Sequence, residues 1–288
     1  MVTTGSSAGF LLSFLAAFDP GDRVALAAPG YPAYRNILTT LGIEPLLLET
    51  TLEHDFQPSV DLLEALPGKL DGLILASPSN PTGTMVSRST LSALVDYCAA
   101  RDIRLISDEI YHGITFGEPA ASALELTECA VVINSFSKYF SMTGWRLGWM
   151  VLPEDLLRPC ECLGQNFFVS APTLSQIAAA AAFQCYGELD GHVEAYGANR
   201  ALLLEELPRA GFRHLAPAQG AFYLYADVSE LTNDSKTFCQ RMLAETGVAV
   251  TPGLDFDPHR GSRFLRFSFA GCKDDMAEAA RRLQDWLA

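Results

Sequence analysis

Ser135-Phe136-Ser137-Lys138-Tyr139-Phe140-Ser141-Met142-Thr143-Gly144-Trp145-Arg146 sets one lysine just beyond an apolar run, among hydroxyls, with an arginine eight residues on. The run before it, Ala130-Val131-Val132-Ile133-Asn134, has the near-continuous apolar character of a strand buried on both faces of a parallel sheet. An amine held at the end of such a strand is partly desolvated, so its pKa falls and it attacks a carbonyl near neutral pH. The chain has only four lysines, and Lys69, Lys236 and Lys273 stand beside Gly, Asp or Ser in polar surroundings typical of solvated surface. Lys138 in isolation reads better as a snorkelling surface group, and it is the rest of the chain that overturns that reading.

Working outward, apolar runs alternate with helical patterns: Arg23–Ala27, Pro45–Leu48, Gly72–Ala76, Ile103–Ser107 and Val131–Ile133 are separated by segments such as Ser89 to Arg101, with Leu91, Leu94, Val95 and Cys98 on one face. Strands alternating with helices imply βαβ units and a mostly parallel sheet sandwiched by helices. After Pro153 the pattern changes to long helical stretches, Leu174 to Tyr186 and His192 to Ala210. Half-exposed strands follow at Gly220–Ala226 and Phe264–Phe269, with helices at Ser235–Thr246 and Lys273–Leu287. The expected organisation is a large domain over residues 1–189 and a smaller C-terminal α+β domain over 190–288.

At 288 residues, half of them hydrophobic, the chain can build a sizeable core, and its formal charge of -14 argues against binding nucleic acid or an anionic membrane through bulk electrostatics. Seven cysteines, with neither a Cys-x-x-Cys pair nor a His spacing suited to zinc, fit free thiols in a reducing cytoplasm. Phe10 to Phe18 is apolar like a signal-peptide core, yet no Lys or Arg precedes it and it is too short to span a bilayer. It reads as a buried helix.

In an open α/β sheet the ligand lies beyond the carboxyl ends of the strands. Val2 to Gly9 leads from a short strand into the Phe10 helix, so Ser6, Ser7 and Ala8 form an anion cradle of free amides and hydroxyls suited to a phosphate. Tyr31, in the turn Pro29–Tyr34, offers a ring to stack on a planar group, and Asn80 offers an amide after the strand ending at Ala76. Asp108 and Tyr111 follow Ile106 as an acid in apolar company and a phenol three residues on. Taken singly these are turn residues and helix caps. Together, cradle, aromatic lid, amide, acid, phenol and lysine are the parts needed to hold pyridoxal 5'-phosphate.

The segments Ser79–Gly83 (SNPTG), Asp108–Tyr111 (DEIY), Ser135–Trp149 (SFSKYFSMTGWRLGW) and Arg263–Ala270 (RFLRFSFA) resemble, in order and spacing, those of the class I and II aminotransferases, pyridoxal-phosphate enzymes of fold type I. The resemblance covers nearly the whole chain. It implies that Ser6, Ser7, Ala8, Ser135 and Arg146 hold the phosphate, that Tyr31 stacks on the ring, and that Asn80 and Tyr111 bond the phenolic oxygen. It further implies that Asp108 pairs with the pyridine nitrogen, that Lys138 forms the Schiff base and acts as general base, and that Arg266, with Asn80, holds the substrate carboxylate. The implied reaction moves an amino group between an amino acid and a 2-oxo acid by a ping-pong mechanism, in a homodimer.

Family members carry a long segment ahead of the phosphate loop. The expectation is therefore of a chain lacking that segment, poorly soluble and weakly active, whose full-length form is an active dimer. Phe167, Phe168 and Tyr31 are candidates for an apolar side-chain pocket, and Arg260 and Arg263 for a distal carboxylate. A lyase of the same fold and the aminotransferase-like sensor domain of a transcription regulator are the alternatives. Lyases of the cystathionine type depart from DEIY and MTGWR, and nothing basic or helix-turn-helix-like is present in this sequence.

Overall fold

The computed structural model describes residues 1–288. Its larger sheet takes β1 (Val2–Thr3), β2 (Arg23–Ala28), β3 (Glu44–Glu49), β4 (Gly72–Ala76), β5 (Arg104–Asp108), β6 (Val131–Ser135) and β7 (Gly148–Val151) in the order β1-β7-β6-β5-β4-β2-β3. Strands β2 to β6 pair in parallel, while β7 runs antiparallel to both β6 and β1. Successive side chains of a strand leave on opposite faces, and the two cores sort accordingly. Ile74, Ile106 and Ile133 pack under α1 (Ser6–Ala17), α2 (Pro32–Thr40) and α5 (Glu154–Phe167), where Phe10, Phe14, Leu38, Leu156 and Cys160 complete one cluster. Leu73, Leu75, Leu105 and Val132 face the other way, onto Leu63 of α3 (Val60–Glu64) and Leu91, Leu94 and Val95 of α4 (Arg88–Ala100). This is fold type I, the architecture expected from the alternation of strands and helices.

The second unit is a four-stranded antiparallel sheet, β10 (Thr251–Pro252), β11 (Phe264–Ser268), β9 (Tyr223–Asp227) and β8 (His214–Leu215), in that order. Its core joins Leu224, Leu265 and Phe267 to Leu203 and Leu207 of α7 (Tyr186–Arg209), Met242 of α8 (Ser235–Thr246) and Leu283 of α9 (Lys273–Leu287). Helix α7 serves both units. Near its start Asp190 accepts from the Tyr139 hydroxyl at 2.5 Å and His192 lies 3.2 Å from Ser141 Oγ, while its second half is built into the smaller core. Residue 190, where the sequence pattern changes, therefore falls inside one continuous helix.

Several element ends differ from the sequence reading. Helix α1 begins at Ser6 rather than Phe10, because Gly5 takes φ 83° and turns the chain directly from β1 into the helix. Strand β9 starts at Tyr223 because Ala221 sits at φ 57° and Gly220 is held in a separate bridge to Thr115. The helix expected over Leu174 to Tyr186 is α6 (Thr173–Ala182), and the chain turns at Phe183 to Cys185 before α7. No helix is long and apolar enough to cross a membrane.

Candidate active site

A cavity of about 280 Å³, the scale of small-molecule sites, opens beyond the carboxyl ends of the parallel strands and is closed from the far side by β9 and β11. Its polar groups come from several separate elements and loops. Ser6 and Ser7 come from the first turn of α1, Asp108 from the last residue of β5, Lys138 and Arg146 from the loop between β6 and β7, and Tyr223 and Arg266 from the smaller sheet.

The anion cradle follows from α1. Its first turn has no side-chain cap, and neither serine hydroxyl is taken by another protein group, so donors and the positive end of the helix dipole face the cavity. Arg146 stands beside them. Its Nη1 lies 3.3 Å from Ser137 Oγ and donates to the Thr143 carbonyl at 2.9 Å. A Cβ on Gly5 would sit 2.5 Å from Arg146 Nη2, so the glycine is what allows the guanidinium to reach the helix end.

Asp108 is 4% exposed and stands between two tethers, the Ile110 amide at 3.1 Å and the hydroxyl of Tyr34, which donates to its Oδ2. Burial drives its pKa up to about 6 against the pull of those two bonds. It is thus an anion at neutral pH, able to pair with a cation formed in front of it. Tyr34 shifts in the same direction: burial first, then the Asp108 charge, hold its phenol well above the ordinary value and keep it a donor.

Lys138 has no hydrogen-bond or ion-pair partner in the protein and sits between the rings of Tyr111 and Phe222, 5.6 and 5.5 Å from their centroids. Its pKa is lowered, chiefly by desolvation and next by Arg266, with Asp108 opposing and Arg146 adding a smaller push. The only lysine at a strand end is therefore the one with a weakened hold on its proton. Arg266 donates from Nη1 to Asn80 Oδ1 at 2.9 Å and from Nη2 to Thr251 Oγ1 at 3.1 Å, and its guanidinium lies 4.3 Å over the Tyr223 ring. Its Nε is buried and unpartnered. A buried charged donor left without an acceptor is costly, and an anionic ligand in the cavity relieves it.

Of the residues singled out from sequence, Ser6, Ser7, Tyr31, Asn80, Asp108, Tyr111, Lys138, Arg146 and Arg266 all line this one cavity. Two do not. Ala8 lies in the first turn of α1 behind the serines, and Ser135 is turned away, its Oγ 3.0 Å from the Leu147 carbonyl and 2.9 Å from Ser137 Oγ. Ser137 occupies the wall in its stead. Phe167 is exposed at the end of α5, and neither it nor Phe168 reaches the cavity. Arg260 is tied to Asp257 and to the carbonyls of Ala28 and Thr50, and neither it nor Arg263 faces the cleft.

Sequence reasoning missed Tyr34, Tyr223, Ser137 and Thr143. Tyr34 was findable, since it follows Tyr31 by three residues, the spacing that brings both to one side of a helix start. Tyr223 pairs its hydroxyl with that of Tyr111 at 3.0 Å across 112 residues, a contact no local pattern encodes.

A parallel sheet with an isolated, desolvated lysine at its carboxyl edge and a helix-end anion cradle defines the fold type I enzymes. Residues 1–283 match the family described as aminotransferase class I and II. The chain belongs to that family and is an aminotransferase. It is 52% identical over 291 residues to the valine–pyruvate aminotransferase of Mycobacterium tuberculosis, covering 100% of this chain and 75% of that protein. It is 32% identical to the aspartate aminotransferase of Thermotoga maritima, with coverage of 100% and 75%. Among solved structures, an aminotransferase from M. tuberculosis superposes with a TM-score of 0.98 at 52% identity, covering 100% of this chain and 75% of that one. The T. maritima aspartate aminotransferase superposes with a TM-score of 0.92 at 32% identity, again over 100% and 75%.

Proposed function

We propose that the protein moves the amino group of an apolar amino acid to a 2-oxo acid such as pyruvate, by a ping-pong mechanism, with pyridoxal 5'-phosphate held in the cleft. The observation that carries this reading is Lys138, unpartnered between two aromatic rings with a lowered pKa, facing a buried aspartate and a free helix end in one cavity. The residues present suit the coenzyme. The first α1 amides, Ser6, Ser7 and Arg146 match a phosphate, with Ser137 rather than Ser135 in the cavity wall and Ala8 behind the serines. Tyr31 offers a ring face, Asn80 and Tyr111 match a phenolic oxygen, and Asp108 matches a ring nitrogen.

When bound, the coenzyme supplies a carbonyl that joins an amine and a ring that accepts the electron pair left at the substrate α-carbon. Lys138 is the residue that would hold the coenzyme at that carbonyl, and its neutral amine would be placed to take the α-proton and later return one. Asp108, an anion at neutral pH, holds a proton at the ring nitrogen. Arg266 grips the α-carboxylate through its planar fork, with the unpartnered Nε as one available donor and Asn80 fixing its orientation. Tyr111 and Tyr223, joined through their hydroxyls, exclude water on the lysine side.

The preference for an apolar donor rests on the lining, whose only cationic side chains are Lys138, Arg146 and Arg266, and on the name of the 52%-identical relative. We also read the chain as a cytoplasmic homodimer. Free thiols at all seven cysteines accord with a reducing compartment. Val169, Leu174 and Ile177, 82%, 77% and 64% exposed, are large apolar side chains of the kind that a second copy would cover.

Initial rates measured over a grid of valine and pyruvate concentrations test the reaction. Parallel double-reciprocal lines with formation of alanine and 2-oxo-3-methylbutanoate are the expected result; intersecting lines, or release of ammonia in place of alanine, would replace transfer by a different chemistry.

A further inference from the structure

A second cavity, of about 300 Å³, lies beside the lysine cleft and shares no lining residue with it. One wall is the segment from Thr50 to Phe56, which follows β3 of the large sheet, and the other is built from β8, β9 and the start of β11. Its floor is aromatic. Tyr225 and Phe264 stack with planes 2° apart and centroids at 4.9 Å, and Phe56 meets both edge-on at 6.0 and 6.3 Å. The Tyr225 hydroxyl is buried without a partner, so this wall contains a donor that no protein atom satisfies.

The charges of the lining divide into those already engaged and those left over. Arg260 is paired with Asp257 at 2.9 Å and His214 with Glu230 at 3.3 Å. Arg263 has no acceptor for its guanidinium, and Asp227 receives only the Ser229 amide on one oxygen. These two stand at adjacent strand ends, Phe264 being opposite Asp227 and the Val228 amide donating to the Arg263 carbonyl, yet no ion pair joins them. An unpaired cation and an unpaired anion at the mouth of an aromatic pocket suit a ligand that carries both charges close together on an apolar body.

We propose that this cavity is a second, non-catalytic binding site for the zwitterion of an apolar amino acid, with its carboxylate on Arg263, its ammonium on Asp227 and its side chain on the Phe56, Tyr225 and Phe264 rings. The site adjoins the catalytic cleft. Tyr225 and Phe264 lie one pleat along the same faces of β9 and β11 from Tyr223 and Arg266, about 7 Å away at the rise of a strand. Phe256 stands between the two, 4.8 Å under the Arg266 guanidinium and 6.4 Å from the Tyr225 ring. A ligand seated on the aromatic floor therefore braces the strands that present Arg266, a consequence that rests on the proposed role of that residue, whereas the binding itself does not.

Equilibrium dialysis of the coenzyme-loaded protein with α-methyl-L-phenylalanine, which has no α-proton and is not turned over, tests the proposal. Two equivalents per chain are expected, of which one leaves the coenzyme absorption band unmoved. Arg263→Gln and Asp227→Asn should each weaken that silent equivalent at least tenfold and leave the band-shifting one unchanged. Arg263 is exposed with a free side chain, and asparagine retains the bond to the Ser229 amide, so both variants should keep the wild-type melting curve. 3-Phenylpropionate and 2-phenylethylamine, each with one of the charges, should not fill the silent site. A single equivalent in the wild type, or a silent equivalent undiminished in both variants, would overturn the proposal. Failure of any ligand to move the band would count against the reading of the lysine cleft and not against this site.

Discussion

Burial sets the charge state of Asp108 before any ligand does. Its pKa of about 6, against an ordinary 3.8, means that the folded chain holds a proton there more tightly than the unfolded chain. The sign follows from linkage: without coenzyme, the fold is favoured by this group at low pH and loses about 2–3 kcal/mol as pH rises from near 4 to above 6. Asp108→Asn should therefore raise the thermal midpoint of the coenzyme-free protein at pH 7.5 and leave it unchanged at pH 3.5, as read by calorimetry. The same change should slow α-proton abstraction by roughly a hundredfold or more, the scale of a preorganised charge contact in a dry site. Tyr34 acts on this aspartate through one hydrogen bond that favours the carboxylate. Tyr34→Phe should move the Asp108 titration upward by roughly half a unit to one unit, the worth of one such bond, followed by carbon NMR of the labelled carboxyl. A downward shift would mean that desolvation is relieved more than the bond is missed.

At the scale of elements, each half of the cleft depends on how a helix or strand ends. Gly5 combines φ 83° with a 2.5 Å approach of its missing Cβ to Arg146, so Gly5→Ala strains the entry to α1 and pushes the guanidinium from the helix end. Coenzyme affinity should fall at least tenfold by fluorescence titration while far-ultraviolet dichroism keeps its wild-type form. On the opposite wall β11 aims Arg266 between Asn80 and Thr251. Arg266→Lys replaces a two-pronged clamp by a point charge, and KM should rise roughly tenfold for alanine and valine alike, since both share the carboxylate; an effect on one substrate only would assign Arg266 to the side-chain end. These same elements show what the sequence made legible. Near-continuous apolar runs in Gly72–Ala76 and Val131–Ile133, buried on both faces, and the turn residues after each strand announced both the sheet and the residues at its carboxyl edge. The start of α1 was misread by four residues because Ser6 to Gly9 lack apolar periodicity and the signal lay in the backbone of Gly5. Ser135 and Ser137 were indistinguishable in sequence, and which of them lines the cavity depends on which meets the Leu147 carbonyl ahead of strand β7.

For the whole molecule, the cleft exists only because two separately cored units meet across it. Lys138 and Asp108 belong to the large sheet, Tyr223 and Arg266 to the small one, and the contacts that join them, Tyr111 to Tyr223 and Asn80 to Arg266, span 112 and 186 residues. Long-range pairs of this kind carry no local signal, which is why Tyr223 escaped the sequence reading although Tyr111, Asn80 and Arg266 were legible through their own motifs. All of the proposed chemistry converges on the amine of Lys138. Borohydride reduction of the coenzyme-loaded protein, followed by proteolysis and mass spectrometry, examines that amine directly: the account predicts the reduced coenzyme fixed on the peptide containing Lys138 alone, and label on Lys69, Lys236 or Lys273, or on no lysine, would contradict it.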